Sequence, residues 1–313
     1  MLARYRRAGA DPPWRDPAGY HGVSMEGYYW RLADRATGVA VVALCGTLAD
    51  RRGRARGLVA VGADAGPARW RWADPVTADP RGLGLRAGDA LRAEPDHLLV
   101  DLGAGARLEA ALRPRPWTRS LGGLGAAHLL PRLGQYWHPH APAGTADADI
   151  DLPGAPARLA GAALYAEKNW GRAFPRRWWW GQAGTWTAGD DATLAFAGGL
   201  LLRRGPAVAA TAAVLRLEDR IERFVAPTAL VRARVGGGRW QVTARGRAGS
   251  LVVEAEAGSR PPLALPVPPA PPGGAVGEVA QHQHGRLRAT LRRGRRTVWH
   301  GESDLAGLEA GGL

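Results

Sequence analysis

Apolar and polar side chains alternate along much of this chain, and this period favours strands over helices. In residues 251–257 the charged side chains fall on every second position, as they do in a strand that buries one face. Extended runs over 25–33 and 38–48 are separated by a turn at 34–38 and predict two further strands.

Paired runs with a glycine-containing turn between them predict hairpins. Residues 285–292 and 295–300 flank an Arg-Gly turn, and residues 193–203 and 207–217 flank an Arg-Gly-Pro turn. Residues 97–112 form a similar pair across Gly-Ala-Gly. Many short strands joined by glycine turns predict an all-β protein built from antiparallel barrels or sandwiches.

The chain has 313 residues, which is enough for two domains of ordinary size. Residues 141–158 consist largely of Ala, Pro, Gly, Thr and Asp, so we place the boundary there. The predicted domains are 1–150 and 151–313. A second, proline-rich stretch at 259–274 is interpreted as a long loop within the second domain.

The formal net charge of +14 raises the question of a nucleic-acid partner. The arginines are spread along the whole chain, and aromatic residues do not interleave with a basic stripe outside one central segment. We therefore expect no nucleic-acid partner and interpret the charge as a solvated, arginine-rich surface. Such a surface permits peripheral contact with an anionic membrane.

Hydropathy bears on the location of the protein. Since no run of about 18 apolar residues is present, the sequence predicts no membrane-spanning helix. Residues 1–19 are basic but carry Asp and Pro where a signal peptide needs an apolar core. We therefore expect a cytoplasmic protein, and we interpret Cys45, in an apolar run, as a core residue.

Two histidine pairs, His138/His140 and His282/His284, have the spacing that places both rings on one face of a strand. No carboxylate stands at a matched offset, so we predict no metal site. A glycine-rich phosphate cradle, a CxxC pair and a Ser-His-Asp spacing are missing from the sequence as well, and no cofactor is expected.

The least typical stretch of the chain is 165–182. It contains the only lysine, Lys168, and four of the thirteen tryptophans. Its segments YAEKNWG (165–171) and FPRRWWW (174–180) resemble the central motif of the tocopherol cyclase family.

A second resemblance to the same family lies near the beginning of the chain. The segments YHG (20–22) and MEGYY (25–29) are similar to a family motif in which Phe stands for Met25 and Trp for Tyr28. The resemblance implies two lipocalin-like domains and the cyclisation of a prenylated hydroquinone to a chromanol.

That reaction adds a proton to a trisubstituted alkene, and the phenol oxygen then captures the tertiary cation, so no redox cofactor is needed. Because an alkene is a very weak base, the protein needs a carboxylic acid that desolvation keeps protonated. Aromatic faces that stabilise the transient cation are needed too.

Strand alternation distributes the candidate residues. Odd positions of 163–170 share one face, as do even positions of 25–31 and even positions of 178–182, with Trp179 on the opposite side. We predict Glu167 or Glu26 as the acid, the alternative for Glu167 being a buried ion pair with Lys168 or an arginine. The predicted substrate contacts are Tyr28, Trp30, His138, Tyr165, Asn169, Trp170, Trp178, Trp180 and Gln182.

We expect a ligand cavity at or near the junction of the two domains, holding a hydrophobic isoprenoid or a prenylated aromatic molecule. Two other interpretations stay open. The protein is a hydratase or cyclase of another polyene or terpenoid, or it is a non-catalytic carrier of an isoprenoid lipid. A protonatable carboxyl in the cavity separates an enzyme from a carrier.

Overall fold

The computed structural model describes residues 25–49, 55–64, 66–78, 84–115, 117, 122–129, 134–171, 175–201, 208–269 and 274–312. The YHG motif at 20–22 lies outside these ranges. The described residues form 23 strands and one short 3-10 helix, Gly125–Leu129. None of their helices is long and apolar enough to cross a membrane.

The strands before the helix are β1 (Met25–Asp34), β2 (Val39–Ala49), β3 (Ala55–Ala63), β4 (Gly66–Pro67), β5 (Arg69–Ala73), β6 (Val76–Ala78), β7 (Leu85–Ala87), β8 (Leu91–Ala93), β9 (His97–Asp101) and β10 (Arg107–Arg115). Those after it are β11 (Gln135–Ala141), β12 (Ala143–Asp151), β13 (Arg158–Gly171), β14 (Trp178–Ala183), β15 (Ala192–Leu201), β16 (Val208–Leu217), β17 (Arg220–Phe224), β18 (Ala229–Gly236), β19 (Arg239–Gly246), β20 (Gly249–Glu256), β21 (Leu263–Val267), β22 (Gly277–Arg293) and β23 (Arg296–Gly311).

The first sheet has the strand order β5-β3-β2-β1-β13-β12-β10-β9-β8-β7-β6, and β11 pairs with β13. Its two ends approach each other because β3 packs against β6 and β7, so the sheet is a nearly closed barrel. The barrel encloses an apolar core to which alternate residues of most strands contribute, Cys45 among them, as predicted.

The second sheet has the order β17-β16-β15-β14-β23-β22-β20-β19-β18, with β21 paired to β22 and to β4. Strand β18 at one end contacts β16 and β17 at the other, which curls the sheet around a second apolar core. The predicted all-β, two-barrel class is therefore confirmed.

The predicted hairpins are present, and one of them is longer than expected. Strands β22 and β23 pair from Gln281 to Glu309, and Gly294 in their turn has a φ of 60°, which a side chain disfavours. Strand β21 falls inside 259–274, so this stretch is not the continuous loop that its prolines predict. Residues 263–267 form a strand because they pair with β22 and with β4.

The change of sheet does not coincide with the predicted domain boundary at 150/151. Strands β12 and β13 both belong to the first sheet, so the YAEKNWG segment lies there, and the second sheet's run of strands begins at β14. The small side chains of 141–158 do not mark a linker. Alternate positions of β12, namely Ala146, Ala148 and Ile150, are buried in the apolar core of the barrel.

A third apolar cluster joins the two sheets. It contains Tyr29, Trp137 and Tyr165 from the first sheet and Trp180 and Ala195 from the second. The faces that bear the central motif are therefore packed against each other, and the candidate site lies between them.

Candidate active site between the two sheets

A cavity of about 470 Å³ lies between the sheets. The first sheet lines it with Tyr136, Trp137, Glu167 and Asn169, and the second with 178–180, 197–199, 208–212 and Glu309. Its walls are mostly apolar, and its volume is in the range of cavities that hold small organic ligands. Of the described residues, two with carboxyl groups line it, Glu167 and Glu309.

Glu167 is buried at this cavity, and its hydrogen bonds are one-sided. Its Oε2 accepts a bond from the Trp137 indole at 2.7 Å, from the Tyr165 hydroxyl at 2.5 Å and from the Trp180 indole at 2.9 Å. No described residue donates to Oε1. Since three donors occupy Oε2, Oε1 is the oxygen that would carry a proton and present it to a ligand.

Two opposing effects act on this carboxyl. Burial raises the pKa of Glu167, and the three hydrogen bonds lower it by less, so the pKa lies above its usual value. Burial thus favours the protonated form at rest, while the same three donors stabilise the anion once the proton has left. This combination suits a general acid.

An amide pair forms another polar part of the wall. Gln135 Nε2 donates to Asn169 Oδ1 at 3.1 Å, and both residues line the cavity. Gln135 Oε1 is buried and has no hydrogen-bond partner among the described residues. A buried acceptor of this kind is completed by a hydroxyl of a ligand or by water.

Glu26, the other predicted acid, lies on the opposite face of the first sheet. Its Oε2 is 3.3 Å from Lys168 Nζ and accepts a bond from the Tyr28 hydroxyl at 2.7 Å, with both charged groups almost fully buried. The Lys168 ammonium also lies 5.0 Å from the centre of the Trp170 ring. The ion pair that we weighed for Glu167 and Lys168 is therefore made by Glu26, and Glu26 does not line the 470 Å³ cavity.

Strand alternation separates the remaining predicted contacts. Asn169, Trp178 and Trp180 line the cavity, and Tyr165 lies behind Glu167. Trp30 and Trp170 do not line it: Trp30 is in the core of the first barrel, and the Trp170 ring stacks on Tyr136, with ring centres 5.3 Å apart. The face shared by Lys168 and Trp170 turns away from the second sheet.

Three other predicted contacts also lie off the main cavity. Tyr28 borders a smaller chamber of about 80 Å³, Gln182 accepts a bond from Arg31 Nη1 at 3.0 Å, and His138 Nδ1 accepts one from the Gly123 amide at 3.2 Å. Burial lowers the pKa of His138 well below its usual value, so this ring is neutral.

The histidine pairs do not come together. His138 and His140 lie on β11 in the first sheet, while His282 and His284 lie on β22 in the second, where His284 Nε2 is 3.0 Å from Asp64. Within the described ranges, no three His, Cys, Asp or Glu side chains are grouped as metal ligands would be.

The sequence did not single out Glu309, on β23. Its Oε1 accepts a bond from the Trp178 indole at 2.5 Å, and its Oε2 accepts one from Gln281 Nε2 at 2.8 Å. Burial raises its pKa to about 7, and the nearby Glu167 charge adds to the shift. The signal that could have identified Glu309 is its position as the only carboxyl side chain in the apolar run 305–313.

The two carboxyl groups also border the smaller chamber. Glu167, Asn169, Trp180 and Glu309 line both this chamber and the main cavity. They therefore form the wall between the two spaces.

Comparison with known proteins adds to this geometry. The model of the family described as tocopherol cyclase-like matches residues 129–312, which is more than half of the chain. The chain belongs to the tocopherol cyclase-like family. The matched range includes Glu167, Glu309 and the tryptophans of β14, while the predicted motif around Glu26 lies outside it.

A curated relative from rice (Oryza sativa subsp. japonica) has the name "Probable tocopherol cyclase, chloroplastic". It is 29% identical over 161 residues, which cover 48% of this chain. The match spans only 34% of the length of the rice protein.

Solved structures with very different sequences share the fold. An AttH-like protein from Nitrosomonas europaea has a TM-score of 0.53 at 13% identity, covering 93% of both chains. Kievitone hydratase from Nectria haematococca has a TM-score of 0.53 at 10% identity, covering 92% of this chain and 89% of its own. CghA has a TM-score of 0.56 at 11% identity, covering 96% and 94%. At these identities the likeness concerns the fold alone.

Proposed function

We propose that this protein is a cyclase that protonates an alkene of a prenylated hydroquinone and closes a chromanol ring, with Glu167 as the acid. One observation carries the proposal. The Glu167 carboxyl is buried in an apolar cavity, with Oε2 held by three donors and Oε1 without a donor among the described residues. Membership of the family supports it.

The proton on Oε1 of Glu167 passes to the less substituted carbon of the alkene, whose π bond breaks and leaves a tertiary cation. The indole faces of Trp178 and Trp180 line the same cavity and stabilise this positive charge. The phenol oxygen then forms a bond to the cationic carbon and loses its proton. Substrate and product are isomers, and no electrons are exchanged with a cofactor.

The cavity walls suit the two parts of such a substrate. Most of the lining residues in 197–199 and 208–212 are alanine or glycine, which leaves room for an isoprenoid tail. Gln135 lines the same cavity, and its Oε1, which has no hydrogen-bond partner within the described part of the chain, accepts a bond from a ring hydroxyl and so orients the head group.

The rim of the cavity has features that suit delivery of the substrate from a membrane. Val208 and Leu230 line the cavity and are nevertheless 51% and 60% exposed. The exposed face of β18 continues from Leu230 to Arg232 and Arg234, and arginine favours an anionic lipid surface. A substrate dissolved in the bilayer enters through this rim.

The test uses a 1,4-hydroquinone with a geranylgeranyl tail, incubated in D₂O, with products identified by mass spectrometry and NMR. The wild-type protein should yield a chromanol with one deuterium on the ring carbon next to the new ether carbon. Glu167→Gln should lower the rate on the order of 10²–10⁴-fold, because an amide cannot deliver the proton. It should still bind the unreactive analogue whose tail is saturated.

The outcomes separate the rival functions. An alcohol instead of a chromanol would indicate that water captures the cation, as in a hydratase. Tight binding of the analogue without any turnover by the wild-type protein would indicate a carrier. Full activity of Glu167→Gln would overturn the assignment of the acid.

A further inference from the structure

Strand β14 supplies an indole donor to each of the two carboxyl groups of the cavity. Trp180 donates to Glu167, and Trp178, two residues earlier on the same face, donates to Glu309. Glu309 is the cross-strand partner of Trp180, so its side chain projects from the same side of the sheet. One strand therefore holds a carboxyl from each sheet at one cavity.

The hydrogen bonds of Glu309 differ in kind from those of Glu167. Each oxygen of Glu309 is met by a group that can only donate, the Trp178 indole on Oε1 and the Gln281 amide nitrogen on Oε2. Each oxygen keeps a second lone pair, so the two donors stabilise the carboxylate and still leave a position for a proton from the substrate. The arrangement therefore suits a base, whereas Glu167 has one oxygen with no donor among the described residues and can hold its proton there.

A chain of side-chain amides determines that Gln281 donates to Glu309. Arg31 has donors only, and its Nε donates to Gln283 Oε1 at 2.9 Å. Gln283 must then present its nitrogen to Gln281 Oε1, at 2.6 Å, where the Tyr29 hydroxyl also donates at 2.8 Å. Gln281 is left with its nitrogen towards Glu309. The buried guanidinium sets the orientation of both amides.

Ring closure releases a proton from the phenol oxygen, and a group in the cavity has to accept it. We propose that Glu309 is the base that accepts this proton, an assignment that rests on the proposed cyclisation. Glu167 gives its proton to carbon, the C–O bond forms, and the phenol O–H bond breaks towards the Glu309 carboxylate. Return of one proton from Glu309 to Glu167 then resets the site.

The charges around Glu309 are consistent with a base near neutrality. Burial, and to a smaller extent the charge of the nearby Glu167, raises the pKa of Glu309 to about 7. Tyr29 on β1 reaches Glu309 through Gln281, and Arg31 on the same strand reaches it through Gln283 and Gln281. Near pH 7 a substantial fraction of the protein therefore holds the carboxylate.

The decisive experiment is the pH dependence of kcat for Glu309→Gln, with Glu302→Gln as the matched control because Glu302 is a solvent-accessible carboxyl on the same strand. The wild-type rate should fall as the pH drops through about 7, since the base becomes protonated. Glu309→Gln should be slower on the order of 10²-fold and should lack this limb. Glu302→Gln should match the wild-type protein.

A second variant separates a base from a structural support. Trp178→Phe removes one donor from the Glu309 carboxylate and leaves the carboxyl in place, so the low-pH limb should move to higher pH. A limb that stays where it is in Trp178→Phe, or a Glu309→Gln profile identical to the wild type, would overturn the assignment.

Infrared spectra of the ligand-free protein, recorded across neutral pH, distinguish an error in the proposed function from an error in the role of Glu309. A protonated-carboxyl band that titrates near pH 7 should be lost in Glu309→Gln and kept in Glu302→Gln. If the band behaves so but no hydroquinone is cyclised, the proposed function is wrong. If cyclisation depends on Glu167 while Glu309→Gln retains the wild-type rate and profile, the role of Glu309 is wrong and the function stands.

Discussion

At the scale of residues, neighbours decide what a buried glutamate does. Glu26 and Glu167 are both nearly inaccessible to solvent, yet Glu26 has the Lys168 ammonium at 3.3 Å, while the described donors around Glu167 are all neutral. A cation keeps a carboxyl ionised and fixed in place. Neutral donors in an apolar cavity leave it able to gain and lose a proton.

Replacement of Glu26 should therefore affect stability more than chemistry. Glu26→Gln leaves the buried Lys168 charge without its carboxylate, and we expect a loss of about 3–5 kcal/mol in the free energy of unfolding. Urea unfolding measures it. The double variant Glu26→Gln/Lys168→Met, which removes both charges, should recover part of the loss. A single variant as stable as the wild type would contradict the buried ion pair.

At the scale of strands, alternation could be predicted from the sequence, but pairing could not. The shared face of Tyr165, Glu167 and Asn169 follows from the period of a strand. That Tyr28 pairs with Lys168, and Tyr29 with Glu167, depends on the register of β1 against β13. This register sends Glu26 into the barrel, and no local pattern encodes it.

Strand pairing that local patterns do not encode also explains why the sequence did not indicate Glu309. Glu309 meets Trp180 only because β23 pairs with β14, across a sequence distance that local patterns do not span. The tryptophans of β14 could be recognised from the sequence as unusual, but their role as donors to two carboxyls required the position of both partners.

Strand β14 also packs closely where it has no side chain. A Cβ at Gly181 would lie 2.3 Å from Phe196, a fully buried ring in the second core. Gly181→Ala should therefore cost about 1–3 kcal/mol of stability, measured by thermal or urea unfolding. Gly236→Ala on β18, where a Cβ meets nothing within 4 Å, is the matched control and should be nearly neutral. Equal stability of the two variants would contradict the close contact.

At the scale of the whole molecule, the two sheets join through one polar element as well as through apolar packing. Arg31 on β1 bonds to Gln182 on β14, to Gln283 on β22 and to the carbonyl of Leu305 on β23. Its fully buried charge is met by neutral oxygens of three strands of the second sheet. The cavity and its two carboxyls therefore depend on the sheets staying together.

The exposed apolar rim of the cavity gives a prediction at the same scale. Val208→Ser/Leu230→Ser should weaken binding to vesicles of phosphatidylcholine and phosphatidylglycerol by about tenfold or more, because two apolar side chains no longer enter the bilayer. Co-flotation with the vesicles measures it. Val252→Ser, another exposed valine that does not line the cavity, is the control. Equal binding by all three proteins would contradict a rim that meets the membrane.

The burial of Lys168 has a practical consequence. It is the only lysine of the chain and is 1% exposed, so an acylating reagent reaches its amine only when the first barrel opens. The extent of acylation at this one position, read by mass spectrometry, therefore counts the molecules that have unfolded. The rate of acylation at Lys168 therefore reports how often the first barrel opens, and ligands that fill the neighbouring cavity should lower this rate.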